Sequence, residues 1–202
     1  MASTINALTG SGGVAILGDS SGEIALQNNG TTIATVSSTG IAMASGKTLT
    51  GGGKILQVLQ GTLTTPLTTT STSYVDLLTV DITPSATDSK IYVSFTTNAG
   101  TNGDVAHLYT SLFRDSTEIG SATSTDSRTG AQTVTNTGAG QQMNYAGALL
   151  DSPSSTSAIT YKIRVKVGGV QTGYWNRSAR DNNAAFYDGR TVTQITVMEV
   201  AA

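Results

Sequence analysis

Cysteine is absent from the 202-residue sequence, which excludes disulfide bonds, thiolate nucleophiles and cysteine metal sites. Charge is also scarce, at 12% of residues, with 11 basic against 13 acidic side chains. This balance lacks the clustered basic surface of nucleic-acid-binding proteins and any polybasic attraction to a membrane. No signal peptide is visible, and the longest aliphatic run, residues 14–17, is far too short to span a bilayer. We therefore expect neither nucleic-acid binding nor membrane insertion.

Hydroxyl side chains and glycine are abundant instead. The sequence contains 35 threonines, 22 serines and 23 glycines, together about 40% of the chain. Only 3 residues are proline and 38% are apolar, a composition unlike that of a disordered tail. These proportions predict a soluble, β-rich protein with a surface covered by hydroxyl groups.

The composition changes along the chain. All the aromatic residues lie at or beyond Tyr74, and the first 53 residues contain only three charges. A core of ordinary density needs large side chains, so the N-terminal quarter cannot form a globule alone. The glycine run at 51–53 is the natural boundary. We predict an N-terminal β-repeat shaft or anchor over 1–53 and a second domain over 54–202.

The N-terminal segment is a weak repeat of short aliphatic pairs separated by turn signals. The pairs recur every 8–10 residues, and Asn-Gly and Asp-Ser clusters between them favour tight reversals. Such strands would leave their aliphatic side chains in water unless copies of the chain associate, because each repeat unit is stable only against its neighbours. Three chains around one axis would form a thin core. The alternative is a flexible linker rich in Gly, Ser and Thr. The aliphatic positions are Val14/Ile16, Ile24/Leu26, Ile33/Val36, Ile41/Met43 and Leu49.

Alternating apolar and polar residues dominate the chain from residue 54 onward. The segment 159–167 alternates almost perfectly, and 89–97 does the same, which indicates half-buried strands. Helical periodicity is absent. The predicted strands lie near 54–64, 74–82, 89–97, 105–113, 115–122, 141–150, 159–167, 171–178 and 191–200. This pattern predicts an all-β fold, an antiparallel jelly roll or β-sandwich, for the second domain.

The first and last of these strands depart from clean alternation. Both are apolar on two faces, and an antiparallel strand of this kind is covered on both faces. In a two-layer domain another subunit would supply the second cover. We therefore predict a threefold interface formed by Ile55, Leu56, Val58, Leu59, Ile195, Val197 and Met198.

Several segments resemble the fibre proteins of tailed bacteriophages, particularly those of marine cyanophages. They are GDSSGEIALQNNGTTIATVSSTGI followed by GGGKILQVLQ, then YVDLLTVDITPSATDSKIYV, and the ending YWNRSARDNNAAFYDGRTVTQITVMEV. The resemblance implies a homotrimeric virion fibre, synthesised in the host cytoplasm, with a short shaft and a C-terminal knob. By analogy, the knob would be a jelly roll of the tumour-necrosis-factor-like kind. The implied partners are two further copies, another virion protein at the N-terminus and a host-surface glycan.

The segment 174–190 is the leading candidate for sugar binding. It combines the only tryptophan with three of the six arginines and several side-chain amides. Alternatively, Trp175 and Tyr187 fill the core while the polar side chains brace the loop and the trimer seam. Other receptor candidates are the loops predicted at 98–104, 123–140 and 151–157. The candidate binding residues are Tyr174, Trp175, Asn176, Arg177, Arg180, Asn182, Tyr187 and Arg190.

Catalytic chemistry has little support in the sequence. His107 is the only histidine, its neighbours Asp104 and Ser111 share a strand or its approach, and no G-x-S-x-G elbow exists. No phosphate-binding fingerprint appears, and the basic face of Lys162, Arg164 and Lys166 is typical of a solvated strand, with anionic lipopolysaccharide as an alternative ligand. We expect no catalytic residues, metal or cofactor. The primary hypothesis is host attachment; the alternatives are a decoration or adaptor protein, and a polysaccharide depolymerase.

Overall fold

The computed structural model describes residues 22–47, 55–103, 106–137, 141–183 and 188–202. The chain divides into two compact units between Gly52 and Gly53. The boundary predicted at the glycine run of 51–53 lies outside the described residues. Every regular element within the described ranges is a β-strand, which confirms the predicted all-β class. None of the described segments forms a helix able to cross a membrane.

The first unit contains a three-stranded antiparallel meander of β1 (Ile24–Asn28), β2 (Thr31–Ser37) and β3 (Gly40–Met43). The two residues between β1 and β2, Asn29 and Gly30, both have positive φ angles, of 49° and 75°. This is the backbone of a tight hairpin turn, for which Asn-Gly is the favoured pair. The strands coincide with the aliphatic pairs predicted over 24–43, whereas the positions at 14, 16 and 49 lie outside the described residues.

The second unit is a β-sandwich of two antiparallel sheets. One sheet has the order β4-β14-β7-β13-β5, with β11 on the other edge of β7. Its strands pair across long sequence separations, since β4 lies beside β14. The bounds are β4 (Ile55–Leu63), β5 (Leu67–Thr69), β7 (Lys90–Thr101), β11 (Met143–Asp151), β13 (Gly173–Trp175) and β14 (Thr193–Val200).

The other sheet has the order β10-β8-β12-β6, with β9 paired to β8. The predicted alternation of 159–167 is confirmed, because every odd-numbered residue of that strand is buried. In β6, the neighbouring strand, the alternation of buried and exposed residues breaks at 77–78. A bulge opposite residues 163–164 of β12 buries Leu77 and turns Leu78 partly toward the core. The bounds are β6 (Val75–Ile82), β8 (Ala106–Arg114), β9 (Thr117–Ile119), β10 (Thr133–Thr137) and β12 (Ile159–Val167).

Two of the predicted receptor loops need correction. The segment 98–104 is strand through Thr101, because β7 continues past its predicted end. The segment 123–140 contains β10, whose sequence TVTNT has one aliphatic residue and therefore gave no alternation signal. The short strand β5, also unpredicted, lies in the Thr-rich segment after β4.

The core lies between the two sheets, and a group of hydrogen bonds at its margin joins them. Arg114 of β8 donates two hydrogen bonds to the carboxylate of Asp151 in β11, at 2.9 and 2.8 Å. The buried hydroxyl of Tyr161 in β12 donates to the same carboxylate at 2.7 Å. The strand β11 belongs to one sheet, whereas β8 and β12 belong to the other. The carboxylate of Asp151 therefore links the two sheets by hydrogen bonds.

A buried carboxylate also fixes the pairing of β4 with β14. Glu199 is fully buried and accepts hydrogen bonds from the Ser85 amide (2.7 Å), the Ser85 hydroxyl (2.6 Å) and the Gln57 side chain (2.6 Å). Burial alone would raise the pKa of Glu199, but these bonds and one from Ser89 outweigh it and lower the pKa to about 2. The ionised carboxylate is thus the form that the fold binds.

Candidate functional site

The structure corrects the two central residues of the predicted sugar-binding segment. Trp175 is fully buried in the core cluster of the sandwich, so its ring is unavailable to a ligand. Asn176 follows it and is also fully buried. A three-residue strand is too short to show an alternating pattern, so the sequence did not reveal this burial, which comes from packing between the two sheets.

Asn176 is a structural junction. Its side-chain nitrogen, Nδ2, donates to the backbone carbonyl oxygens of Leu63 (3.0 Å) and Thr65 (3.3 Å). Its side-chain oxygen, Oδ1, accepts a hydrogen bond from the Thr193 hydroxyl (2.8 Å). Its backbone has a φ of 63°, a left-handed conformation that asparagine tolerates better than most residues. One side chain therefore connects the end of β4, the loop after it and the start of β14.

Replacing Asn176 with alanine should lower the free energy of unfolding by about 2–4 kcal/mol. The substitution strands buried carbonyl and hydroxyl groups and places alanine at a left-handed φ. Urea denaturation measures the loss. Asn183→Ala, on the exposed part of the same segment, is the control and should change stability by less than about 0.5 kcal/mol. Equal stability of the two variants would contradict the junction role.

The arginines of the segment are engaged by two carboxylates. Arg190 makes a two-pronged contact with Asp181, at 2.7 Å to each oxygen, and Arg177 lies 3.4 Å from the same carboxylate. Arg180 and the Ser178 hydroxyl both donate to one oxygen of Asp188, Oδ1, at 3.0 and 2.8 Å.

These contacts set the ionisation of both aspartates. The hydrogen bond from Arg190 is the main cause that lowers the pKa of Asp181. Desolvation would raise the pKa of Asp188, but hydrogen bonds from Ser178, the Asn182 amide and Arg180 lower it overall. Both carboxylates therefore stay ionised and paired over the neutral range.

An open depression of about 320 Å³ lies beside this ion-pair network. Its described lining is polar, and Tyr187 lies outside the described residues. Tyr174 is half-buried under Arg177, whose guanidinium lies 4.5 Å from the ring centroid. The arrangement favours the bracing alternative for most of the segment. The lining residues are Asp181, Asn182, Asn183, Asp188 and Arg190.

The edge strand β4 carries an exposed aliphatic surface. Leu59 lies on the side of β4 that faces the sandwich, opposite the buried Val197, yet remains 38% exposed at the sheet edge. Val58 lies on the outer side and is 53% exposed. Ile55 and Leu56 lie at a register shift in the pairing with β14 and are 56% and 49% exposed. The four side chains predicted on this strand for a trimer interface are therefore accessible.

The outer face of the sheet extends this surface into a row that crosses four strands. Val58 of β4 lies opposite Met198 of β14, Met198 opposite Tyr92 of β7, and Tyr92 opposite Leu150 of β11. Tyr92 is 36% exposed and Leu150 56%, and Met198 is half-buried. We name Val58, Met198, Tyr92 and Leu150 the apolar row. Sequence reasoning missed Tyr92 and Leu150, because only the strand register brings them beside the other two.

Two of the residues predicted at the interface belong to the core instead. Ile195 and Val197 are fully buried within the single chain, which corrects their assignment to an intersubunit surface. They alternate with Met198 on β14, so the strand presents Ile195 and Val197 to the sandwich and Met198 outward, on the same side as Val200. The strand β14 is therefore apolar on two faces for two reasons. One face belongs to the core, and the other carries Met198, a member of the apolar row.

The basic face of β12 is largely neutralised. Lys162 and Arg164 share Asp76, at 3.2 and 2.6 Å, and Arg164 also lies 4.7 Å above the Phe113 ring. His107 is exposed and stacks beside Tyr109 at a centroid distance of 6.4 Å. Across the described ranges, no group of three potential metal-binding side chains comes together.

Comparison with known proteins identifies no family, but it does find likenesses among solved structures. No family model and no curated protein matches the sequence. Among solved structures, the chain is similar to one in the structure of infectious bursal disease virus Gx strain, with a TM-score of 0.40 and 12% identity. The match covers 72% of this chain and 37% of that one. The chain therefore spans little more than a third of the length of that viral chain.

Proposed function

We propose that the protein is a homotrimeric surface subunit of a virion, of the fibre type, that attaches the particle to its host. The observation that carries the proposal is the exposed aliphatic surface formed by β4 and the apolar row. Adjacent strands lie about 4.8 Å apart, so the four strands carry this row across about 14 Å of the sheet. A contiguous patch of this kind is typical of a protein–protein contact.

The occupant of this surface is argued from the edge strand itself. Proteins protect edge strands with charged side chains, proline or a covering element, and residues 55–63 contain neither charge nor proline. The described part of the first unit points the same way, since only Ala34 is buried there while Leu26 and Ile41 are 48% and 66% exposed. Two further copies of the chain would cover both the edge strand β4 and the exposed aliphatic side chains of the first unit. The resemblance to fibre proteins implies such a homotrimer.

Labelling of particles tests the virion assignment. Antibodies raised against the purified protein should decorate intact particles at a fixed surface position, and the free protein should bind host cells and reduce infection by competition. Decoration without cell binding would support an adaptor or decoration role instead of attachment. Particles that contain none of the protein would overturn the proposal.

A further inference from the structure

Lys166 is a cation held by aromatic rings instead of by a carboxylate. Its ammonium nitrogen lies 4.3 Å from the centroid of the Tyr74 ring and 5.3 Å from that of Tyr109. Its strand neighbours Lys162 and Arg164 take the carboxylate of Asp76. Over the described part of the second unit, Lys166 makes no salt bridge, and the contacts of its ammonium group there are with the two aromatic rings.

A cavity of about 360 Å³ opens beside this ammonium group. Its volume falls at the lower end of the range for small-molecule sites, about 300–1,000 Å³. Tyr109 supplies an aromatic wall, Lys166 the charge, and three side-chain hydroxyls the remaining polar groups. The lining residues are Thr72, Tyr109, Ser127, Thr129, Lys166, Val167, Gly168 and Gly169.

The aromatic wall depends on a close approach of the backbone. The amide of Gly168 donates to the carbonyl oxygen of His107 at 2.8 Å, and a Cβ at Gly168 would lie only 2.7 Å from Tyr109 Cε2. Glycine therefore lets the chain pass directly beside the ring. In contrast, a Cβ at Gly169 would meet nothing within 4 Å, so this part of the cavity is open.

We propose that this cavity binds an acidic saccharide, with its carboxylate at the Lys166 ammonium and a sugar face against Tyr109. The inference rests on the proposed attachment function and names the ligand class that would serve it. A sugar ring offers apolar C–H groups to an aromatic face and hydroxyl groups to Thr72, Ser127 and Thr129. A charge-assisted hydrogen bond to lysine selects a carboxylate over a neutral hydroxymethyl group. A bare phosphate would satisfy the charge and accept hydrogen bonds from the hydroxyls, but it would leave the aromatic ring unused.

The test compares acidic sugars with neutral sugars and with a bare anion. Purified full-length protein is titrated with D-glucuronate, D-galacturonate and N-acetylneuraminate, with D-glucose and D-galactose as neutral counterparts and inorganic phosphate as the bare anion. Binding is followed by ligand-observed NMR. At least one acidic sugar should bind about tenfold or more tightly than both neutral sugars and than phosphate, and its affinity should fall with added salt.

Variants assign the binding to the cavity. Lys166→Gln should weaken the acidic sugar about tenfold or more, whereas Lys166→Arg should retain most of the affinity. Lys162→Gln, on the same face of β12 but paired with Asp76, is the matched control and should bind like the unaltered protein. Failure of all three acidic sugars to bind, or equal binding by Lys166→Gln, would overturn the inference.

The result is separable from the proposed function. Every described lining residue comes from one chain, so binding should persist in a Val58→Arg variant that does not trimerise. Acidic-sugar binding by a protein missing from particles would support the cavity and refute the virion role. A particle protein that binds none of these sugars would refute the cavity alone.

Discussion

The Val58→Arg variant should behave as a single chain of 20.6 kDa in light scattering, whereas the unaltered protein should scatter as the proposed trimer, with three times that mass. Val58 lies at the end of the apolar row on the outer face of an edge strand, and its side chain is 53% exposed. Arginine at this position keeps the strand intact, because the core face of β4 is untouched. In the trimer it would bury an unpaired charge, which costs several kcal/mol at each of three interfaces.

Gln60→Arg provides the matched control for this experiment. Gln60 lies on the same face of β4, one pair of residues further along, where its neighbours are the polar Thr196 and Ser94. That variant should remain trimeric. An unaltered protein that scatters as one chain at working concentration would remove the basis of the proposed trimer, as would a trimeric Val58→Arg variant.

Glu199→Gln should lower the free energy of unfolding by about 3–4 kcal/mol at neutral pH. The pKa of the buried carboxylate falls from 4.5 to about 2 on folding, and a pKa difference of one between the two states corresponds to about 1.4 kcal/mol. A glutamine in its place turns an NH₂ group toward donors that need an acceptor: the amide and hydroxyl of Ser85 and the side chain of Gln57. Urea denaturation at fixed protein concentration measures the difference.

The same carboxylate predicts the direction of the pH dependence. Because the folded-state pKa is depressed, its stabilisation is complete above about pH 4.5 and is lost as the pH falls toward 2. The Glu199→Gln variant should lack this acid-sensitive part of the stability. Glu118→Gln, an exposed carboxylate that accepts from the Tyr74 and Ser121 hydroxyls, is the control. An identical loss of stability in both variants between pH 4.5 and 2 would contradict the role of Glu199.

The fold was predictable where burial alternates along a strand. Residues 159–167 show this most clearly, since each lysine or arginine is flanked by a buried apolar residue. The same reasoning failed at 133–137, because a strand of threonine and asparagine at a sheet edge has no apolar period to detect. It also failed at 77–78, where a bulge places two successive leucines against the core.

The candidate site was less predictable, because its members are joined only by strand register. Tyr92 and Leu150 lie in strands whose sequences do not indicate that they are near Val58. Only the register of strand pairing places the three side chains in one row of the sheet. Composition singled out Trp175 because tryptophan is common in sugar sites. Its burial follows from packing between the sheets, which composition does not encode. Lys166 differs from Lys162 and Arg164 because those two share the carboxylate of Asp76. The spacing of basic residues in the sequence does not reveal this difference.

The pairing of β4 with β14 has a consequence for synthesis on the ribosome. Gln57 and Glu199, which hold these strands together, are 142 residues apart, so β4 waits without its neighbour until almost all of the second unit has been translated. Its aliphatic side chains are meanwhile open to contact with nascent chains nearby. We therefore expect slow folding, and a chain that ends before β14 should aggregate through the aliphatic side chains of β4.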